Sequence, residues 1–165
     1  MSPRYDVPRA APEPLRAVQQ FVNSIDREHE LDWLDDWFAE HGPVDDPERA
    51  RPLRDAFRAL ALANNGLPLD AAAVETINAA AARLSLRLGD DGRVRFEDGG
   101  DPLDRLVSIA FSAMLDGSWG RLKACRNCSW SFYDGSPNRS ATWCSMQLCG
   151  NRSKTRTYRS RRRAV

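Results

Sequence analysis

The chain has 165 residues, four cysteines and a formal net charge of +1. That length suits one domain, or one domain with a small appended module, and it can bury a core large enough to fold without disulfides. No run of about eighteen apolar residues occurs, so no transmembrane helix is expected. A phosphate loop, a dinucleotide fingerprint and a nucleophile elbow are also missing, which argues against the common enzyme classes.

The charge falls into two blocks. Residues 1–120 hold 13 basic and 22 acidic residues, a net of −9. Residues 121–165 hold 11 basic residues and one acid, Asp134, a net of +10, together with all four cysteines. So sharp a division points to two modules with different partners. Concentrated positive charge attracts polyanions, of which nucleic acid is the commonest. A solvated basic tail would give the same composition.

In chain order, residues 1–13 carry Pro3, Pro8 and Pro12 and read as a flexible leader. They lack the apolar stretch of a secretory signal, so a cytoplasmic protein with reduced or metal-bound thiols is expected. Leu15, Val18, Phe21, Val22 and Ile25 predict an amphipathic helix from about Pro14 to Glu28. Leu31, Leu34, Trp37 and Phe38 predict a second, ending before Gly42. Asp46-Pro47 is a cap-then-proline start for a third, whose one face carries Leu53, Phe57, Leu60 and Asn64 and which Gly66 stops. Asp70 caps a fourth with Val74, Ile77, Ala81 and Leu84. Residues 85–88 and 93–96 flank Asp90-Asp91-Gly92 as a hairpin. Asp101-Pro102 opens a last helix through Leu103, Leu106, Val107, Ala110, Phe111, Met114 and Leu115, with Gly117 as its end. His29 and His41 read as surface or capping residues, and Asp32, Asp35, Asp36 and Glu40 as a solvated acidic face. No catalytic residue is predicted.

The last 45 residues carry the strong signal. Cys125 and Cys128 form a C-x2-C pair, Cys144 and Cys149 a C-x4-C pair, and fifteen residues separate them. Two cysteines on a tight turn face an ion from one side, and a pair on the first turn of a helix faces it from the other. Four thiolates then complete a tetrahedron about one structural Zn²⁺ with no open position for water. Trp130 and Phe132 alternate with Ser129 and Ser131 as in a half-buried strand, residues 134–138 have turn chemistry, and Trp143 is placed to pack on Trp130 or Phe132. So short a module has little core of its own, and zinc binding can contribute on the order of 10 kcal/mol to folding. After Cys149, on a helix at roughly 100° per residue, Arg152, Arg156, Arg159 and Arg163 fall within about 60° of one another as a basic stripe suited to phosphates.

The segment from Leu122 to Arg163 resembles the CGNR zinc finger. The resemblance rests on Cys125-Arg126-Asn127-Cys128, Trp130, Phe132, Asp134, Asn138-Arg139-Ser140, Trp143-Cys144-Ser145-Met146 and Cys149-Gly150-Asn151-Arg152 followed by Lys154. The region before it is similar to the ABATE domain through Phe21-Val22-Asn23-Ser24, the stretch from Trp37 to Gly42 and the Leu-Arg-Leu-Gly ending at residue 89. The resemblance implies a stress-induced transcription regulator with zinc on the four cysteines and a DNA-binding finger. Three departures stand out: the first knuckle is shorter than is usual, Ala141-Thr142 replace the usual basic pair before Trp143, and the leader lacks the usual apolar start.

The expected architecture is mainly α. A helical domain with a small β-hairpin (14–119) precedes a treble-clef-like ββα four-cysteine finger with a basic C-terminal helix (120–165). The expected function is zinc-dependent nucleic-acid binding, duplex DNA favoured, through Arg126, Arg139, Arg152, Lys154, Arg156, Arg159 and Arg163. The helical domain would bind a ligand, a partner or a second copy. The alternatives are an RNA- or ribosome-associated protein and a zinc-stapled interaction or redox-sensing module. One finger is a small footprint, so specific recognition calls for an oligomer or a partner.

Overall fold

The computed structural model describes residues 9–163; within the last helix, the side chains of Thr157, Arg161 and Arg163 lie outside the described set. Helix α1 (Leu15–Val22) turns its apolar side, Leu15, Val18, Phe21 and Val22, into the core. It ends earlier than the periodicity predicts. Ser24 Oγ folds back on Phe21 O at 2.8 Å, and Asn23 turns away to a distant strand, so the chain leaves the helix there. Residues predicted as helix instead form a minimal hairpin, β1 (Ile25–Asp26) with β2 (Leu31–Asp32). Asp26 caps its turn by accepting from the Glu28 and His29 N–H groups at 2.9 and 3.1 Å. Helix α2 (Leu34–His41) therefore starts three residues later than expected, and Gly42 ends it at φ +93°.

The remaining elements follow local signals. Asp46 accepts from Glu48 N and starts a 3₁₀ turn that runs into α3 (Ala50–Asn64). Asp70 caps α4 (Ala71–Ala81). Strands β3 (Ser85–Leu88) and β4 (Val94–Glu97) form the predicted hairpin. Asp101 caps α5 (Pro102–Asp116), and Gly117 ends it in the left-handed region. Phe21, Trp37, Phe57, Leu53, Leu103 and Val107 are fully buried together and form the core of these helices. Buried arginines lace the layers. Arg54 grips both oxygens of Asp32 at 2.7 and 2.9 Å, so Asp32, read from sequence as part of a solvated face, is a structural acid. The Arg54 guanidinium holds the Asp32 carboxyl below its ordinary range.

Beyond α5 come β5 (Leu122–Ala124), antiparallel to β6 (Ser131–Tyr133), a π-helical turn (Met146–Gly150) and helix α6 (Asn151–Arg163). The observed architecture is thus a helical region with small hairpins followed by a four-cysteine module and a C-terminal helix. Sequence predicts a half-buried β6. In the structure Phe132 and Ser131 are both buried, because β6 is covered on both sides. Phe132 faces the cysteines, and Ser131 meets α1.

Side-chain amides form that second cover. Asn23 donates to Ser131 O at 2.8 Å and accepts from Ser131 N at 2.7 Å, the pairing a neighbouring strand would supply. Gln19 Nε2 adds a bond to Ser131 O at 3.2 Å. At the end of α3, Asn64 donates to Trp119 O and Leu122 O at 2.9 and 2.8 Å. Asn65 donates to Ala124 O and Thr142 O, both at 2.8 Å. Residues 1–8 of the expected leader lie outside the described residues, but its end is held in place. Arg9 O accepts from Tyr133 N at 2.9 Å, Ala11 N donates to Gln19 Oε1 at 2.6 Å, and Ala11 is buried. Pairing with β6 therefore fixes the last residues of a segment that composition marks as loose.

Replacing Asn23 with Ala would leave the Ser131 N–H buried without its partner. The expected loss is about 1–3 kcal/mol of unfolding free energy, read as a lower Tm in thermal denaturation. An unchanged Tm would mean that the finger does not dock through this residue.

Candidate metal centre and its basic helix

Two short turns bring the cysteines together. After β5, Ser129 N donates to Cys125 O at 2.8 Å and Cys125 N to Trp130 O at 2.9 Å, closing a knuckle around Cys125 and Cys128. Ser129 takes φ +63° to complete it. On the other side, Gly150 N donates to Ser145 O at 3.0 Å across the π-helical turn that presents Cys149. Gly150 lets the turn pack closely: a Cβ there would sit 2.9 Å from Met146 Sδ, whose flexible side chain would have to shift, and 3.3 Å from the Trp143 ring.

The four Sγ atoms all lie within 4.8 Å of one another. Cys128–Cys144 and Cys128–Cys149 are both 3.6 Å apart, and Cys144–Cys149 3.7 Å. A Zn–S distance of about 2.3 Å gives a tetrahedron with edges of about 3.8 Å, so the spacing fits one zinc ion. The surroundings fit as well. The backbone N–H groups of Cys128 and Cys144 point at the Cys125 sulfur, that of Trp130 at Cys128, and Asn127 Nδ2 donates to Cys149 Sγ at 3.5 Å. Such bonds orient thiolates and spread their charge. Crowding alone splits the acidities: bonds from Cys128 and Cys144 push Cys125 down, while the bond with Cys125 pushes Cys128 up and Cys144 up to about 12. A divalent cation is what allows four thiolates so close together to stay ionised. Among the described residues, no histidine or carboxylate joins the group. A set of four thiolates leaves no coordination position for substrate, so the centre is structural.

A buried ion pair organises the loop between the cysteine pairs. Lys123 Nζ donates to Asp134 Oδ2 at 2.8 Å, Arg139 O at 2.6 Å and Ala141 O at 3.1 Å. The fully buried Asp134 also accepts from Ser136 N at 3.0 Å, Ser136 Oγ at 2.6 Å and Ala141 N at 2.9 Å. Burial alone would raise its pKa; the Lys123 ammonium and the Ser136 and Ala141 donors outweigh that and hold it well below the ordinary carboxylate range. Its contribution to stability is therefore complete above about pH 4, the unfolded value, and is lost only as pH falls through the lower folded value. From sequence alone, Asp134 belongs to a turn and Lys123 has no assigned role. The signal was present, since Asp134 is the one acid in the basic block.

The predicted basic residues sit on three elements: the first knuckle, the loop after β6 and α6. Arg152, Lys154, Arg156 and Arg159 are exposed along α6, and the Arg163 side chain lies outside the described residues. Arg152 forms an ion pair with Glu28 on the β1–β2 turn. Arg156 NH2 reaches Asn127 Oδ1 at 3.4 Å. Arg139 is exposed on the loop after β6, at φ +50°. Arg126, exposed on the first knuckle, reaches across the seam, with its Nε donating to Asn65 O at 2.7 Å. A cleft of about 560 Å³ beside the cysteines is lined by Asp26 and His29 from one module and by Trp130, Leu148 and Arg152 from the other.

These features define a class: a helical domain joined through an amide seam to a four-cysteine finger that ends in an exposed basic helix. Two family models match successive parts of the chain. The model of the CGNR zinc finger matches residues 121–162. The ABATE model, described as "Putative stress-induced transcription regulator", matches residues 15–116, well over half of the chain. The chain belongs to the ABATE family, and neither matched family is an enzyme family. No curated protein sequence matches it significantly. Among the described residues, no helix is long and apolar enough to cross a membrane.

The protein is expected to carry one zinc per chain by elemental analysis, and Cys144→Ser to carry much less. Each cysteine must lose its proton to bind, so zinc affinity should fall as pH falls. Lys123→Met leaves Asp134 charged and buried without its partner, a loss of about 3–5 kcal/mol. Chemical denaturation of the zinc-loaded variant should show a midpoint well below that of the wild type.

Proposed function

We propose that the protein is a DNA-binding transcription regulator in which the zinc centre presents α6 to duplex DNA and the helical domain governs access to that helix. The observation that carries this reading is that α6 is rooted in the cysteine cluster through the π-helical turn and exposes Arg152, Lys154, Arg156 and Arg159 to solvent. Thirteen residues of helix extend about 20 Å. Arginines one turn apart along that length match phosphates bordering a groove, and the arginine fork also suits guanine. A treble-clef-like finger, with ββα order and cysteines on the knuckle and at the helix root, fits this use. Arg139, exposed beside the finger, is a further phosphate contact in this reading. Arg126, engaged by Asn65 O, acts instead as a clip between the modules. The rest of the acidic domain repels phosphate and confines binding to the finger face. A cytoplasmic, nucleoid-associated location follows from this role.

The Glu28–Arg152 pair supplies the control. Glu28 occupies the first arginine of the stripe as a phosphate would, so DNA and the helical domain compete for it. A ligand or partner entering the adjoining cleft meets the same pair.

The test is binding of the zinc-loaded full chain to labelled duplex DNA over a salt series, in competition with structured RNA. With four to six phosphate contacts, log K should fall with log[salt] at a slope of about −4 to −5. Chelation or Cys144→Ser should abolish binding. Binding that survives the loss of zinc would reduce the contact to tail electrostatics, and preference for RNA would move the protein toward translation. Glu28→Gln should raise DNA affinity several-fold and steepen the slope by about one; equal affinity would remove the competition.

A further inference from the structure

We propose that Cys128 is the site at which a hydroperoxide oxidises the metal centre, with a cysteine of the second pair as its disulfide partner. The four sulfurs are not equally sheltered. Cys125 is fully buried, Cys149 is 3 % exposed and Cys144 7 %, whereas Cys128 is half-buried. Cys125 is also the best covered by donors, since the backbone N–H groups of Cys128 and Cys144 both point at its sulfur, while Cys128 receives that of Trp130. Donors spread the charge of a thiolate and make it a poorer nucleophile. The fold also supplies an approach. The cleft of about 560 Å³ between the modules is walled in part by Cys128, Cys144 and Cys149, and Cys125 does not line it. A hydroperoxide is small against that space, since a water molecule occupies only about 30 Å³. Arg152 lies on the same wall. Its guanidinium carries five N–H groups, so it retains donors for a peroxide oxygen beyond the one given to Glu28.

The chemistry balances with hydrogen peroxide as the oxidant. The Cys128 thiolate attacks one peroxide oxygen: an S–O bond forms, the O–O bond breaks, and the departing hydroxide takes a proton to become water. The resulting sulfenic acid sits beside Cys144 and Cys149, whose sulfurs are each 3.6 Å from that of Cys128. Attack by either thiolate on the Cys128 sulfur forms an S–S bond and breaks the S–O bond, and the second hydroxide is protonated to water. In total two thiolates give up two electrons, the peroxide accepts them, and two protons are consumed. Two thiolates then remain for a site that needs four, so the zinc is lost. The new bond ties the knuckle to the second cysteine pair, and the π-helical turn that roots α6 loses its metal anchor. Reduction by a thiol restores both thiolates and with them the site. The oxidation site stands whether or not α6 binds DNA.

The test treats the zinc-loaded full chain, without nucleic acid, with a small excess of hydrogen peroxide. Released zinc is read with a chromophoric chelator, and the cysteines are mapped by alkylation and peptide mass spectrometry. One zinc should leave for each disulfide formed, and the first disulfide should join Cys128 to Cys144 or Cys149. Cys128→His keeps a ligand for zinc and removes the reactive sulfur. Its zinc-loaded form should release metal about tenfold more slowly than the wild type, or slower still. Cys125→His should release it at close to the wild-type rate. Where a variant fails to hold zinc, the peptide map of the wild type decides. Zinc that stays bound under excess peroxide overturns the proposal. A first disulfide of any other pairing overturns it as well, and so does a zinc-loaded Cys128→His that releases metal as fast as the wild type.

Discussion

Four sulfur atoms within 4.8 Å of one another set the terms for the C-terminal half of the molecule. Thiolates so crowded repel, and one divalent cation turns that repulsion into the strongest set of bonds in the finger. The knuckle between β5 and β6, the π-helical turn at Met146–Gly150 and the direction of α6 all follow from the need to converge on a single point. The apolar packing that supports this, Phe132, Trp130, Trp143 and Ala141 around the cysteines, is small. It shields the sulfurs, and the metal supplies the cohesion. The Lys123–Asp134 pair performs the corresponding task for the loop between the cysteine pairs, where backbone carbonyls at 139 and 141 would otherwise lack donors.

The finger is not an independent bead on a string. Asn23 gives β6 the hydrogen bonds of a missing neighbouring strand, and Asn64 and Asn65 give the chain around β5 the same service. Carboxamides suit this role because each offers a donor and an acceptor without charge, so a buried seam can be satisfied without the desolvation that ion pairs incur. Trp119 and Leu122 belong to the helical core, while Cys125 and Phe132, only a few residues on, belong to the metal core. A change in the packing of α1 or α3 is thus felt within one strand of the cysteines. That proximity is the physical basis for reading the helical domain as a controller of the finger.

Features decided locally were legible in the sequence. Asp46-Pro47, Asp70 and Asp101-Pro102 start helices by capping, and Gly42 and Gly117 end them through positive φ, all of which a few neighbouring residues settle. The metal ligands were legible because spacing alone can bring four cysteines onto one ion. What sequence missed depends on contacts far along the chain. The early end of α1 follows from Asn23 reaching Ser131, 108 residues away, and a two-residue ladder such as β1–β2 has no periodicity to detect. The burial of Ser131 has the same cause. One clue was present: Asn64 falls on the apolar face of α3, where an amide signals that the face meets backbone rather than side chains. Glu28 and Arg152, 124 residues apart, carry no sequence signal at all.

The division of charge that composition reveals acquires a structural meaning at that last pair. A block of net −9 and a block of net +10 would attract one another wherever the fold let them meet. The seam, built mainly of uncharged amides with Arg126 bonded to a backbone carbonyl, fixes the interface elsewhere, so pairing of opposite charges does not decide how the modules dock. Among the described residues it leaves one acidic turn, at Glu28, touching the root of α6, while the outer turns of the helix extend into solvent. An exposed ion pair contributes only about 0–1 kcal/mol, so on the proposed reading a polyanion can displace Glu28 from Arg152, at the end of α6 that the cysteine cluster roots.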